Sequence, residues 1–149
     1  MEKGVKETGF HFLTGAEPGS ESFDPNALSP LTLAFVGDAV WALMAATFLV
    51  NRGNTRGEKL HRRSTEYVSA KAQARIVKHM QESGCLEEKE EEILRRGINA
   101  KPHSQAKNAS SYEYHLATAL EALVGYLYLA DKKERAEELF LTGVGVIEG

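Results

Sequence analysis

Apolar positions dominate two stretches of the chain. Residues 31–50, LTLAFVGDAVWALMAATFLV, and residues 114–130, YHLATALEALVGYLYLA, each carry a single charge. Elsewhere apolar and polar residues recur at three- and four-residue intervals, the spacing of amphipathic helix, and no alternating run competes for a strand. The punctuation divides this pattern into six helices. Ser29 and Pro30 open the first, which stops at the NRGN segment, and TRGE reads as a capping box opening a second through about Val68. A third starts afresh at Ser69 and stops at Gly84, and LEEKEEEILRRG, acidic early and basic late as the helix dipole favours, forms a fourth closed by Gly97. INAKPHSQAKNASS follows as a polar loop, then a fifth helix from about Tyr112 to Ala130. The sixth, KKERAEELFLTGVGVIE, is weakened in its last turns by Gly143 and Gly145. The fold class is all-α, with no repeat and no internal linker.

At 149 residues the chain has material for one core. Residues 1–27, rich in Gly, Ser and Pro toward their end and lacking a signal-peptide core, read as a loosely ordered leader, which leaves 28–149 as the domain. The single Cys85 excludes an internal disulfide and suits a reducing, cytoplasmic setting; following a helix stop, it is most simply a packing residue. The net charge of −3 hides a segregation: residues 52–81 and 95–109 are strongly basic, whereas 82–94 and the two ends are acidic. Two basic segments flanking an apolar pair of helices fit a polyanion groove as well as ordinary solvated helix faces. The first helix is long enough to span a bilayer, but a central acid is costly there and the remaining helices are amphipathic, so no membrane is expected.

The isolated charges in the two apolar helices are Asp38 and Glu121. An unpaired carboxylate in a core is expensive, and neither helix offers a Lys or Arg to either acid. Ala34, Gly37, Ala42 and Ala45 surround Asp38, and Ala117, Thr118 and Gly125 flank Glu121. Helices with such small faces can approach closely, leaving both acids in an oxygen-lined notch suited to a hard divalent cation. The same pattern is equally met by core acids bonded to Thr, Tyr or backbone groups.

LAFVGDAVWAL resembles the signature helix of the ribonuclease III catalytic domain, and ATALEALVGYLYL its second acidic helix. SAKAQARIV and ILRRGINAK, in that order between them, are similar to the branch that lacks an appended double-stranded RNA-binding domain; the likeness spans about Leu28 to Leu141. The resemblance implies that Asp38 and Glu121 are the catalytic acids and the ligands of Mg²⁺. It implies hydrolysis of double-stranded RNA to 5′-phosphate and 3′-hydroxyl ends, with ribosomal RNA precursors of 23S type as substrate. Longer members carry two further acids, where this chain has Ala34 and Thr118, so water, RNA oxygens or another carboxylate such as Glu58 would complete the metal shell. The resemblance further implies a homodimer, agreeing with a first helix apolar on every face, and admits a ribosomal protein on the substrate.

Duplex RNA is read through its shape and phosphates, a task for Lys, Arg, Gln and Asn. His61, Arg62, Lys71 and Gln73 on the central helices, with Arg95, Arg96, Asn99, Lys101 and Lys107 around the polar loop, are the expected contacts. His61, His103 and His115 are read as surface or RNA-contacting, because metal-assisted hydrolysis needs no nucleophilic side chain. The competing function is a non-catalytic module that grips structured RNA or aids ribosome assembly on the same fold; retention of both acids argues against it. A di-metal oxidoreductase bundle would need paired Glu-x-x-His motifs, and the sequence has none.

Overall fold

The computed structural model describes residues 24–53, 56–100 and 111–149. Among them a 3-10 turn, Pro25–Ala27, precedes six α-helices: α1 Pro30–Asn51, α2 Gly57–Val68, α3 Ala70–Ser83, α4 Glu88–Ile98, α5 Ser111–Leu129 and α6 Lys133–Glu148. The described residues form no strand, as expected. Most expected boundaries hold for the expected reasons, but Gly97, expected to close the fourth helix, lies inside it against Ala119, and Asn99 caps the helix. The Ser29 hydroxyl accepts from the Thr32 N–H, Ser69 accepts from Ala72, and α3 closes at Gly84 in the left-handed conformation. At α2 the boundary moves: the helix starts at Gly57 with Arg56 in the cap position and no side-chain cap, and Thr55 lies outside the described residues.

The fifth helix is the axis of the molecule. Its residues Leu116, Ala119, Leu120, Ala122, Leu123 and Val124 are fully buried, with α1, α3 and α4 laid against it. Its contact with α1 is the tightest, because Gly37 and Gly125 face each other across it. A Cβ built on Gly37 would lie 1.6 Å from the Glu121 carbonyl oxygen, and one on Gly125 would lie 2.0 Å from that of Leu33. Each glycine weakens its helix by about 1 kcal/mol relative to Ala. The close approach they permit is what carries the acids of two helices to one place.

On its other flank α1 meets α2 and α6 through aromatic side chains. Trp41 packs edge-on against Phe140 and donates its indole N–H to the Tyr67 carbonyl at 2.8 Å, pinning the α2–α3 junction to α1. Gly143 is not merely a weak point of the last helix. It lies against Ile76 and Trp41, where a Cβ would meet the Ile76 Cδ1 at 2.9 Å, and α6 runs on to Glu148. Cys85, expected to pack, is exposed; what the turn contributes there is its backbone carbonyl.

That carbonyl accepts from Arg135, whose guanidinium also grips Glu90 through two N–H bonds of 2.8 Å. Glu90 is 3% exposed and accepts from the Glu87 N–H as well, completing a capping box at the start of α4. Burial raises its pKa, but the Arg135 and Glu87 hydrogen bonds outweigh burial and hold the carboxyl below its ordinary value. The pair thus stabilises above the ordinary glutamate range and loses its contribution as pH falls through the depressed value. Arg135→Met leaves a buried carboxylate uncompensated and is expected to cost about 3 kcal/mol or more of unfolding free energy at pH 7, measured by urea titration.

Candidate active site

Asp38, in the middle of α1, and Glu121, in the middle of α5, come together beside the Gly37–Gly125 crossing, near enough for each carboxyl group to act on the other. Asp38 is exposed and Glu121 partly buried, so the pair opens to solvent on one side and rests on packed helix on the other. Ala34 and Thr118, one turn before each acid, are both 7% exposed and close the floor with small side chains. A third helix takes part: Gln73, in the first turn of α3, is 2% exposed and lies near enough to Glu121 to act on its ionisation.

Burial first, then the adjacent Asp38 charge and the hydrogen bond to it, push the Glu121 carboxyl up to about 8, while the Gln73 hydrogen bond opposes the rise. Protons are therefore bound more tightly by folded than by unfolded chain between about pH 4.5 and 8. A raised carboxyl of this kind favours folding at the acid end of that window and costs stability as pH rises through it. In chelator, the melting temperature is expected to fall from pH 5 to pH 8 in the wild type. It should fall less in Glu121→Gln, because the difference between the two proteins isolates this one group.

Two carboxylates that repel each other at a half-open surface fit a divalent cation, which would cancel the repulsion. Among the described residues two such side chains are available: no three His, Cys, Asp or Glu converge, so Glu58 does not join the pair.

The expected RNA contacts fall into distinct groups. Arg62, Lys71, Arg95 and Asn99 are exposed, and His61 is exposed along an apolar groove between α1 and α2. Gln73 is not at the surface at all, being 2% exposed on the inward stripe of α3. Arg96 is occupied: its guanidinium donates to the Asn26 and Leu28 carbonyls and holds the turn before α1 against α4. Lys101, His103 and Lys107 lie outside the described residues. The sequence held a signal for Gln73, since it falls in register with Ile76, Val77 and Met80 on the buried stripe of α3.

A six-helix fold with two acids paired at the crossing of its apolar helices defines a ribonuclease III domain, and the family model of that description matches residues 31–132. The crystal structure of a Fusobacterium nucleatum protein aligns with a TM-score of 0.67 and 32% identity, covering 76% of this chain and 89% of that one. Mini-ribonuclease 3 of Streptococcus pneumoniae is 44% identical over 85% of this chain and 98% of its own length. That of Enterococcus faecalis is 47% identical over 78% and 88%, and that of Staphylococcus aureus 43% over 75% and 84%. The chain belongs to the ribonuclease III family, within its Mini-ribonuclease 3 group.

Proposed function

We propose that this protein is a Mg²⁺-dependent endoribonuclease acting on double-stranded RNA, leaving 5′-phosphate ends, and that it matures ribosomal RNA precursors of 23S type in the cytoplasm. The observation that carries this reading is the paired Asp38 and Glu121, brought together from two helices where Gly37 and Gly125 allow the closest approach. Asp38 and Glu121 would hold the cation, which when bound supplies positive charge for the phosphoryl oxygens and lowers the pKa of a water ligand. Small, nearly buried Ala34 and Thr118 stand one turn before the two acids, and the exposed Asp38 leaves the pair open to solvent and so to a cation. Arg62, Lys71, Arg95 and Asn99 are free at the surface to meet phosphate and 2′-hydroxyl groups. Cleavage of duplex RNA but not of single-stranded RNA or duplex DNA, with Mg²⁺ and not in chelator, is the expected result. Binding of duplex RNA without cleavage under every metal condition would favour the non-catalytic module instead.

The working form in this reading is a homodimer. One face of α1 is left uncovered: Phe35 is 81% exposed, Leu43 59% and Val50 50%, with Ala39, Ala42 and Ala46 between them on the same side. These residues recur at helical spacing, and the stripe borders the groove lined by Leu60 and His61. Burying each large side chain against a second copy is worth about 1.5–3 kcal/mol, enough in sum to hold two small domains together. Leu43→Glu is expected to give a folded monomer by light scattering at micromolar concentration, with cleavage strongly reduced. An active wild-type monomer would return the stripe to another role.

A further inference from the structure

Glu148 stands in the last turn of α6, the end at which the helix dipole favours a cation over an acid, and that turn holds no basic residue. What holds its carboxylate there lies on other helices. The Arg52 guanidinium, at the end of α1, and the Tyr67 hydroxyl, at the end of α2, donate to the same Glu148 oxygen, Oε2, each at 2.5 Å. Both donors are also set in place by other contacts. Tyr67 is 1% exposed and its carbonyl accepts from Trp41, while the Arg52 guanidinium lies 4.9 Å from the centre of the Phe48 ring, which packs edge-on against that of Tyr67. Arg63, one turn before Tyr67 on the same face of α2, brings a further donor: its Nε is out of water and, among the described residues, without a hydrogen-bond partner, 3.5 Å from Glu66.

We propose that Arg52 and Tyr67, with Arg63 beside them, form a binding site for a backbone phosphate of duplex RNA, and that Glu148 occupies it as an internal anion which the phosphate displaces. The inference rests on the duplex-RNA reading given above. A guanidinium and a hydroxyl converging on one oxygen are a donor set that phosphate recognition uses, and a carboxylate is the anion that a protein chain can itself supply in its place. The exchange is open, because the Arg52 and Glu148 side chains remain 47% and 35% exposed, and an ion pair so accessible to water holds weakly. The neighbouring surface leads to it. A groove lined by Lys71, Arg75 and Ile147 runs from one of the expected RNA contacts to the end of α6, where Arg75 donates to the Val146 carbonyl at 3.1 Å. Arg52 follows Val50 by two residues, so it stands on the side of α1 away from the apolar stripe on which a second copy would sit.

The test is a double-mutant cycle in which duplex RNA is titrated, in chelator and across a range of KCl, into the wild type, Glu148→Gln, Arg52→Gln and the double variant. Chelator keeps binding apart from cleavage. Glu148→Gln is expected to bind roughly 5- to 10-fold tighter at about 0.1 M salt, with log K falling more steeply against log salt by about 0.9, because one further phosphate contact releases its counterion. On the Arg52→Gln background the same change should gain less than about 2-fold, because the site is no longer there to be vacated. An equal gain on both backgrounds is the general effect of one acid fewer and overturns the site. No gain, at an unchanged salt slope, makes Glu148 a tie between helices and overturns it too. Should Glu148→Gln lose its fold by circular dichroism, Glu148→Ala repeats the cycle, and loss of fold in both overturns the inference by giving the carboxylate a structural role. A wild type that binds no duplex RNA at any salt removes the duplex-RNA reading itself, and this site with it.

Discussion

Asp38→Asn and Glu121→Gln are each expected to abolish Mg²⁺-dependent cleavage while leaving the protein folded, and Glu121→Gln should make the metal-free protein more stable at pH 8. The two effects have one origin. A pair of carboxyl groups from separate helices is forced into contact by the packing of α1 on α5, and the chain carries that repulsion whether or not a cation is present. A neutral amide of the same shape removes the repulsion but is a poor ligand for a hard cation. Lost charge neutralisation at the reacting phosphate is worth several kcal/mol, so turnover should fall by roughly 10³-fold or more. Stability moves the other way, because the raised Glu121 carboxyl no longer has to ionise inside the fold. Single-turnover cleavage and chelator-treated thermal melts measure the two arms separately. Near-normal turnover in either variant at saturating Mg²⁺ would deny that residue the role of ligand. An acid kept only for the fold would instead lower the melting temperature when replaced.

What the sequence disclosed, and what it concealed, follows from contrast. Asp38 and Glu121 stand alone in helices otherwise without charge, so the demand for a partner is visible along the chain. Gln73 and Glu90 meet the same demand but sit in helices crowded with Lys, Arg and Glu, where one more polar side chain passes for part of the solvated face. Only their register separates them. Gln73 falls with Ile76, Val77 and Met80, and Glu90 falls with Ile93, Leu94 and Gly97, each on the stripe that packs inward. A polar residue in phase with an apolar stripe is a buried polar residue, and its partner comes from another helix, which is why Arg135 was not legible from α4 alone. Helix ends were legible wherever a serine cap or a left-handed glycine set them. At α2, where no side chain caps the first turn, local chemistry left the start undefined and packing against α1 decides it.

Gly37→Ala and Gly125→Ala are expected to destabilise the protein more than any other single methyl addition in α1 or α5. On helix propensity alone each change should stabilise by about 1 kcal/mol. The crossing reverses the sign: the new Cβ at residue 37 would sit 1.6 Å from the Glu121 carbonyl oxygen and 2.8 Å from the Gly125 nitrogen, and the one at residue 125 would sit 2.0 Å from the Leu33 carbonyl. These are backbone atoms, which cannot swing aside as a side-chain terminus can. The two helices must separate, opening a gap beneath Leu33, Leu120 and Val124, all of them fully buried. Overpacking of this kind costs about 3 kcal/mol or more, several-fold beyond the propensity gain. The same separation draws Asp38 and Glu121 apart. Fraction folded by circular dichroism and Mn²⁺ affinity of whatever remains folded are therefore expected to fall together. A Gly37→Ala protein that melts like the wild type and binds metal normally would mean that the helices do not meet at this pair of glycines.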